Sequence, residues 1–546
     1  MHTPSAMAAY LEQLDPQQLR STVISFLAGR KTPEERIAAI EEILRGPAGP
    51  ELRRAMGRWV TERMVPVERL VPEKYARWRP VVRDAMLFVM SYLSAARLAP
   101  KLLEQIELPL GTRPETRLLR LISKVPGLQK LGQVLAHNRH LTPPLRQALI
   151  RLENGIRDVT AREIREMIRE QLGPRLRTHQ VTIRPGMLSE ASVSAVLRFT
   201  WKSPASGEQE AGVFKVLKPH IAACFAEDMA MLQALTAYFG KRLGEYGFES
   251  DVLSDTFAKV RRLLQHEVDF RGEQATLLRA YELYRPVHGV RVPRLMPELC
   301  TTHITAISEE KGIKITDAAA RMPRRRRVLV ADQLIEALVA VPLLSADKEA
   351  LFHADPHAGN LLYNDATDEL VILDWALCER LTREQRRHLA LLLLMLGLRD
   401  PQGVTRAVEA LQQPGGANKA RTIREFVPTY IAELSWKPAA GGVDAMRLVE
   451  RLTLRGVRFP ASLVMLSKVL FTLDGIIADI AGSDVPMTFA VTSHLLQTLL
   501  VERKRVALPL KMSDWMALQC SAALYGARLL IRIEEMAAEK VLRATA

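Results

Sequence analysis

The amino-acid sequence predicts an α+β fold, in which a small antiparallel sheet precedes a mostly helical half and helical extensions lie at both ends. Up to about Pro114, apolar residues recur at helical spacing. Between about Val181 and Val216 the pattern changes to short alternating runs, which are typical of strands. Helical spacing returns at Ala222–Arg285 and again from Thr382 to the end.

The sheet is predicted from three runs, VTI, SVSAVLRFTW and GVFKVL, which RPGM and SPASGEQEAG separate as turns or loops. Short apolar runs at Thr302–Ile307 and around Leu361–Leu373 predict further strands. A small sheet, a long helix and then a mostly helical half is the element order of a two-lobed, protein-kinase-like fold. We expect a helical extension over 1–115, a core over 116–435 and a helical region over 436–546, and within the core a small lobe over 181–312 and a large lobe over 313–435.

Composition places the chain among globular proteins. Hydrophobic residues make up 48% and charged residues 25% of the 546 residues, which excludes collagen-like and disordered classes. Lys and Arg number 76 against 61 Asp and Glu, so the formal net charge is +15. This charge allows nucleotide, nucleic acid or an anionic membrane surface as a partner. Aromatic residues make up only 5% and are not interleaved among the basic ones, so we expect no nucleic-acid partner.

The beginning of the sequence has neither the basic nor the apolar stretch of a signal peptide, so we expect a cytoplasmic protein. The apolar runs Ala85–Ala96 and Leu389–Leu398 are shorter than the roughly 20 residues of a spanning helix and predict buried helices. The four cysteines are scattered without a CxxC spacing, which predicts buried thiols rather than a zinc site or a disulfide framework.

The segment HADPHAGNLLYNDATDELVILDW, from His353 to Trp375, carries the sharpest chemical pattern. Phosphoryl transfer requires a carboxylate that orients the acceptor and hard oxygen ligands that hold Mg²⁺ against the phosphates. Asp355 precedes Asn360 with the D-x-x-x-x-N spacing of a kinase catalytic loop, and Asp374 ends an apolar strand after a predicted hairpin. We predict Asp355 as the catalytic residue and Asn360 and Asp374 as metal ligands, with His353 orienting the loop by hydrogen bonding.

Lys215 lies in the strand GVFKVL, where a kinase places the lysine that binds the ATP phosphates. Such a lysine needs a carboxylate partner. A helix predicted over Asp255–Tyr284 carries Glu267, Asp269 and Glu273, and the four-residue separation of Asp269 from Glu273 predicts that these two carboxylates share one face. We predict Glu273 as the partner of Lys215.

The motifs resemble those of the UbiB/AarF atypical kinase-like family, which is associated with coenzyme Q (ubiquinone) biosynthesis. FHADPHAGN is similar to the family's F-H-A-D-P-H-P-G-N, and KLGQ is similar to its K-x-G-Q signature. HEVDF is similar to its E-x-D segment. The resemblance covers about half of the chain and implies an ATP- and Mg²⁺-binding core with a KLGQ segment, over 125–155, that lies over the nucleotide cleft.

The resemblance also implies which residues line that cleft and what the site does. Lys130 and Gln133 would face it beside Glu267 and Asp269. Protein kinase activity would be suppressed in favour of weak ATP hydrolysis or phosphotransfer to a small molecule. The nucleotide loop would contain Ser192 and Val193.

Three positions depart from the family's pattern. The Ala-rich nucleotide loop is here SEASVSAV, in which Glu190 would repel phosphates unless it points outward or contacts metal. The D-F-G motif is Asp374-Trp375-Ala376, which lacks the glycine's backbone freedom. The loop proline is replaced by Ala358.

Two other functions stay open. An aminoglycoside or choline phosphotransferase also has the H-x-D-x-x-x-x-N loop, but it has no counterpart of KLGQ and HEVDF. A non-catalytic scaffold that binds nucleotide only for its conformation is favoured by Glu190 and Ala376.

We interpret the basic run Arg321–Arg327 as the solvated start of a helix over Val328–Leu344. The same basic run is also a candidate contact with anionic lipid headgroups, so a membrane surface or a lipid or quinone-precursor ligand is a further possible partner beside nucleotide.

Overall fold

The computed structural model describes residues 13–30, 32–136, 159–247, 251–413, 419–434, 441–482 and 510–527. The chain forms two compact units. The first comprises Met1–Arg271 and Met296–Ile307, and the second comprises Gly272–Leu295 and Ser308–Ala546.

The first unit consists of helices and one small sheet. Its helices are α1 Pro16–Phe26, α2 Pro33–Arg45, α3 Gly49–Trp59, α4 Val67–Leu70, α5 Arg79–Tyr92, α6 Ala95–Glu107, α7 Pro114–Ile122, α8 Pro126–Ala136, α9 Ala161–Leu172, α10 Pro174–Thr178, α11 Pro219–Arg242 and α12 Asp251–Val268. A further helix, α13 Phe270–Tyr284, begins in the first unit and ends in the second.

Local signals explain where several of these helices begin. Asp15, Thr32 and Thr160 are N-caps, and each forms a capping box with a Gln or Glu three residues later. The apolar faces of the N-terminal helices then pack with α11 and α12 in one core, which contains Trp59, Leu98 and Leu235 among others. The helical extension and the residues around α11 therefore share a hydrophobic core.

The sheet of the first unit has the strand order β1-β2-β3-β5, with β1 Thr182–Glu190, β2 Ser194–Lys202, β3 Gln209–Leu217 and β5 Ile304–Ser308. β2 pairs with both β1 and β3 in antiparallel fashion. A Cβ on Gly212 would lie 2.5 Å from the Phe199 ring, so only glycine allows this close approach.

RPGM was predicted to be a turn, and this is wrong. Residues 184–187 lie inside β1, where the register with β2 shifts between Ile183 and Met187 and again before Ser189. β1 is an edge strand, and edge strands tolerate Pro because one side of their backbone has no ladder partner.

The second unit contains two sheets and most of the remaining helices. Its strands are β4 Val290–Arg291, β6 Ile313–Lys314, β7 Glu349–His353, β8 Leu361–Asn364, β9 Glu369–Ile372 and β10 Cys378–Thr382. Its helices are α14 Ile315–Ala319, α15 Arg324–Ile335, α16 Val341–Leu344, α17 Arg383–Gly397, α18 Pro401–Leu411, α19 Ala420–Glu433, α20 Gly442–Leu454 and α21 Ala461–Ala481, and residues 512–527 are also helical.

The predicted hairpin before Asp374 is present. β8 and β9 pair in antiparallel fashion, with Tyr363 opposite Leu370, inside a sheet of order β4-β9-β8-β6. β7 and β10 form a separate antiparallel pair. β7 and β8 flank the predicted catalytic loop, and β9 leads into Asp374, so strands hold both parts of the motif.

Two predicted helices have different bounds in the structure. The helix expected over Asp255–Tyr284 is two helices, α12 and α13, and the break falls at Asp269. The helix expected over Val328–Leu344 begins at Arg324 and continues through a π-helical turn, Glu336–Ala340, into α16.

The structure confirms only some of the predictions of buried helices and buried thiols. Most of Leu389–Leu398 lies in α17, which ends at Gly397, and the run is buried through Leu396, as expected. Ala85–Ala96 is not one helix, because α5 ends at Tyr92 and α6 begins at Ala95. Of the cysteines, Cys300 is buried, Cys224 and Cys378 are half-buried, and Cys520 is exposed, so the prediction of buried thiols fails for Cys520.

Among the described residues, one helix, Ala461–Ala481, is long and apolar enough to cross a membrane. Many of its apolar residues, including Leu466, Leu470 and Leu473, are buried in the second unit, where the helix packs against α15 and α20, while Val464 is exposed. Core helices pass the same length and composition test, so this helix is weak evidence for a membrane span.

Lys101, on α6, is a buried lysine whose ammonium group donates to the carbonyl oxygens of Arg120 (3.3 Å) and Ser123. Burial lowers the pKa of Lys101 to about 8. The unfolded chain has a lysine pKa of about 10.4 and binds this proton more tightly. The free energy of unfolding should therefore rise with pH between about 8 and about 10.

We predict that Lys101→Met removes this pH dependence. Relative to the variant, the wild type should gain about 1.4 kcal/mol of stability per pH unit between about pH 8 and 10, measured by urea unfolding. Lys74→Met, which replaces an exposed lysine of the same unit, is the control. Parallel pH profiles for the wild type and Lys101→Met would contradict the assignment.

Candidate active site

His353 holds the predicted catalytic loop at the end of β7. The Nδ1 atom of its buried ring accepts a hydrogen bond from the backbone N of Asp355 (3.2 Å), and Nε2 donates to the carbonyl oxygen of Leu373 (3.0 Å). A backbone N–H only donates, so the ring is the neutral tautomer with its proton on Nε2. Burial lowers the pKa of His353 and so favours the neutral ring. These contacts provide the orienting role that was predicted for His353.

Asn360 closes the loop from its other end. Its side-chain amide donates to the backbone oxygen of Asp355 (3.2 Å), and its own carbonyl accepts from the backbone N of Leu373 (2.8 Å). Since Asp374 follows Leu373 directly, the hydrogen bond to Leu373 brings the two predicted metal ligands to neighbouring positions. The loop and the end of β9 thus bring Asp355, Asn360 and Asp374 together.

Asp374 is exposed and has a left-handed backbone with φ of 54°. Asp and Asn adopt this conformation more readily than most residues. Its Oδ1 accepts a hydrogen bond from the backbone N of Ala376 (3.3 Å). The expectation that losing glycine at 376 restricts the turn is wrong, because the positive φ falls on Asp374 and not on Ala376.

Trp375, which lies between Asp374 and Ala376, anchors the turn. Its side chain is buried, its Nε1 donates to the carbonyl oxygen of Ile372 (3.1 Å), and its ring contacts the rings of Tyr284 and His353. The exposed carboxylate of Asp374 therefore projects from a backbone that a buried indole fixes in place.

The donor set at this turn suits Mg²⁺. Asn360 retains an amide oxygen and Asp374 supplies a carboxylate, and both are hard oxygen ligands. No group of three His, Cys, Asp or Glu side chains that could hold a metal occurs in the described part of the chain. Mg²⁺ is often bound by one or two carboxylates together with substrate phosphates and water, and a site of this kind fits these residues.

Lys468 was not predicted as a site residue. It lies on α21, 113 positions from Asp355 in the sequence, and its Nζ donates to Oδ1 of Asp355 (2.9 Å). No local motif surrounds this lysine. The only signal that could have found it is its isolation, since it is the single basic residue of a predominantly apolar helix that also carries Asp474 and Asp479.

In the first unit, the predicted nucleotide loop is a tight connection between β1 and β2. The backbone N of Ala191 donates to the carbonyl oxygen of Ser194 (2.8 Å), and the backbone N of Lys218 donates to the carbonyl oxygen of Val193 (2.9 Å). The Val193 side chain is buried with Leu217 and others, which leaves only its backbone for contact with a nucleotide.

Glu190 does not point outward into solvent. Its negative charge, which was expected to repel phosphates, is paired with a lysine. Its carboxylate lies 2.9 Å from Nζ of Lys218, and only 7% of the Glu190 side chain and 1% of the Lys218 side chain are exposed. Lys218 was missed by the sequence analysis. It lies just after GVFKVL, three residues beyond Lys215. A buried cation therefore neutralises the carboxylate that made the loop look unfavourable for phosphate.

Glu267 contacts two other predicted site residues, Lys130 and Ser192. The ammonium group of Lys130 and the hydroxyl of Ser192 (3.2 Å) both donate to its carboxylate. Glu267 lies in the last turn of α12, Lys130 lies on α8, and Ser192 lies in the nucleotide loop. The side chain of Gln133, the other polar residue of KLGQ, lies outside the described residues.

Asp269 occupies the break between α12 and α13, so it does not share a helix face with Glu273 as predicted. It lines a cavity of about 280 Å³ in the first unit together with Phe270, Arg271 and His303. Lys215 is half-buried on β3, and its Nζ lies 5.9 Å from the centroid of the Phe270 ring.

Glu273 lies in the first turn of α13 and is buried. Burial raises the pKa of the Cys378 thiol, and the charges of Asp374 and Glu273 shift it in the same direction. Lys215 belongs to the first unit and Glu273 to the second. Their ion pair stays a prediction.

The helix that carries Lys130 is anchored by a residue that the sequence did not indicate. Asp228, which is fully buried on α11, accepts a hydrogen bond from the backbone N of Gly127 (2.7 Å) and lies 2.6 Å from the Arg97 guanidinium. Arg97 lies on α6 of the N-terminal helices. The N-terminal helices therefore help to position the KLGQ segment.

In the basic run, Arg326 has partners within the second unit. Its guanidinium donates to the Tyr363 hydroxyl (2.7 Å) and pairs with Asp368. Arg321, Arg324 and Arg325 are exposed. Contact of this run with lipid headgroups stays a prediction.

Comparison with known proteins identifies related chains. Residues 151–408 match the family model of the ABC1 atypical kinase-like domain. A Pseudomonas fluorescens protein named "Probable protein kinase UbiB" is 25% identical over 406 residues, which cover 71% of this chain and 72% of the relative. An Arabidopsis thaliana protein named "Protein ACTIVITY OF BC1 COMPLEX KINASE 7, chloroplastic" is 24% identical over 362 residues, which cover 64% of this chain and 50% of the relative.

Among solved structures, a Mycobacterium tuberculosis protein in complex with erythromycin has a TM-score of 0.44 and 17% identity, covering 66% of this chain and 86% of that one. The family match and the two relatives confirm the resemblance that the motifs predicted and, with it, the protein-kinase-like α+β fold class.

We predict that Lys218→Met destabilises the first unit, because it leaves the Glu190 carboxylate buried without its cation. Removing one member of a buried ion pair costs about 3–5 kcal/mol. Adding Glu190→Gln removes the buried negative charge that Lys218 paired with and should restore most of that loss, as measured by chemical denaturation. If the two substitutions destabilise additively, the ion pair is not what holds this loop.

Proposed function

We propose that this chain is an atypical kinase or ATPase that uses ATP with Mg²⁺, since residues 151–408 match the family model of the ABC1 atypical kinase-like domain. The observation that carries the proposal is the arrangement of Asp355, Asn360 and Asp374, which His353 and Asn360 hold together by hydrogen bonds. By analogy with relatives named UbiB, the biological role would be in the metabolism of ubiquinone or another isoprenoid lipid.

Each residue has a distinct part in this scheme. Lys215, fixed by Glu273, binds the ATP phosphates, and Asn360 and Asp374 hold the metal. Mg²⁺, when bound, neutralises the charge that develops on the transferred phosphoryl group. Asp355 accepts a hydrogen bond from the acceptor, which is a small-molecule hydroxyl or water, and orients it for attack.

The KLGQ segment has a structural role in the proposed nucleotide site. Glu267 binds both Lys130 and Ser192, so it ties the KLGQ helix to the nucleotide loop. We assign this contact the task of covering the nucleotide, with Gln133 and Asp269 as further members. A cover over the site disfavours access by a peptide, which supports a small acceptor or water.

The alternative of a non-catalytic scaffold rested on Glu190 and Ala376. Glu190 is paired with Lys218, and Ala376 does not occupy a left-handed position. Neither residue is therefore evidence against ATP turnover. The scaffold becomes one outcome of the experiments below.

We predict that Mg-ATP raises the melting temperature of the wild type and that Lys215→Ala removes at least half of this shift, because the lysine binds the phosphates. At a ligand concentration 100 times the Kd, binding stabilises the folded state by about 2.7 kcal/mol. Lys202→Ala, at the exposed end of β2, is the control and should retain the full shift. Absence of any Mg-ATP shift in the wild type would refute nucleotide binding.

We further predict that Asp374→Asn lowers ATP hydrolysis on the order of 100-fold, because it removes the charged metal ligand. Asn tolerates the same left-handed backbone, so the fold and the melting temperature should be preserved. Asp368→Asn provides a matched control, since Asp368 has a φ of 59° in the β8–β9 turn and has no place in the proposed site. Hydrolysis that survives Asp374→Asn would eliminate the catalytic scheme, and nucleotide binding without hydrolysis in the wild type would favour the scaffold.

A further inference from the structure

Lys468 contacts the catalytic loop from a part of the chain that the family match does not cover. The matched residues end at position 408, whereas Lys468 lies on α21. Its Nζ donates to Oδ1 of Asp355 at 2.9 Å, and both residues belong to the second unit. The side chains of Lys468 and Asp355 are 52% and 39% exposed, so an acceptor can reach this pair from solvent.

The helix that carries Lys468 is rigidly placed. The neighbouring residues Ser467, Val469 and Leu470 are buried in the core of the second unit. Lys468 is instead on the exposed side of the helix, as are Val464 and Asp479. A buried helix is a more precise support for a functional side chain than a loop. The position of the Lys468 backbone is therefore set by core packing rather than by the catalytic loop.

The backbone of Asp355 is held by His353 and Asn360, but neither of these residues contacts its carboxylate. Lys468 supplies that contact by occupying Oδ1. Within the described residues, no hydrogen bond is made to Oδ2. One oxygen of the carboxylate is thus fixed by a charge-assisted hydrogen bond while the other is left to accept from a hydroxyl or water.

From this geometry we infer that Lys468 is a positioning residue for phosphoryl transfer: it fixes the rotamer of Asp355 so that Oδ2 faces the acceptor. The inference rests on the proposed function of Asp355. It extends the active site to α21, which the sequence analysis had placed outside the kinase-like core. Lys468 acts through Asp355 and has no contact with the nucleotide in this scheme, so it affects kcat and leaves the KM for ATP unchanged.

The kinetic test measures ATP hydrolysis by the full-length chain with Lys468→Met and Lys468→Arg. We expect Lys468→Met to lower kcat about 10-fold with the KM for ATP within two-fold of the wild type, as positioning effects of this size are common. Lys468→Arg retains the charge and should recover most of kcat. Lys511→Met removes another exposed lysine, which lies 3.8 Å from Glu384, and it should change neither constant.

The dependence on Asp355 is tested by adding Lys468→Met to Asp355→Asn. If Lys468 acts only through the carboxylate, the double variant should hydrolyse ATP at the same rate as Asp355→Asn alone. A further loss in the double variant, an unchanged kcat in Lys468→Met or a higher kcat in Lys468→Met would each overturn the inference. The last result would show that the pair inhibits Asp355 instead of positioning it.

A second measurement requires no nucleotide and separates this inference from the proposed function. The melting temperatures of the wild type, Lys468→Met, Asp355→Asn and the double variant form a cycle. Non-additive shifts support the contact in solution, and additive shifts refute the inference whatever the activity. If the wild type neither binds nor hydrolyses ATP, the proposed function fails, and a positioning role in phosphoryl transfer fails with it even where the cycle is non-additive.

Discussion

A neutral, buried imidazole is the constraint on which the predicted catalytic loop depends. His353 joins the start of the loop, at the backbone N of Asp355, to the carbonyl oxygen that precedes Asp374. His353 and Leu373 are 20 positions apart in the chain, and the imidazole ring bridges them. Protonation of the ring would replace the acceptor at Nδ1 with a donor and break the bond to Asp355. Burial opposes that protonation, so the same packing that hides His353 also maintains the loop.

Ion pairs between separate elements stabilise the first unit. Glu190, Glu267 and Asp228 are carboxylates at or near the proposed nucleotide site, and each has a basic partner from another element, namely Lys218, Lys130 and Arg97. Burying an unpaired charge costs several kcal/mol, so these pairings explain how a loop and a helix with acidic residues can pack closely. These pairs use basic and acidic residues in equal number, so they leave the formal net charge of +15 unchanged.

Much of the fold followed from periodicity and turn signals, and the errors have physical causes. RPGM resembles a turn, but an edge strand tolerates its proline and a bulge absorbs its glycine. The break at Asp269 is a single residue, and helical spacing continues across it, so the pattern had no way to mark it. α15 begins four residues earlier than expected, with arginines in its first turn, where the helix dipole disfavours them. The pairing of Arg326 with Asp368 is a tertiary contact that offsets this preference.

The sequence by itself determined that Asp355, Asn360 and Asp374 lie near one another, because they belong to one short segment whose spacing is set by a loop and a hairpin. It also determined the order of sheet and helices, since hydrophobic periodicity is a local property. Only the tertiary structure decided that Lys218 neutralises Glu190, that Asp228 anchors the KLGQ helix and that Lys468 binds Asp355. The physical reason is that a single charged side chain carries no pattern, and its partner is chosen by packing between elements that are far apart in sequence.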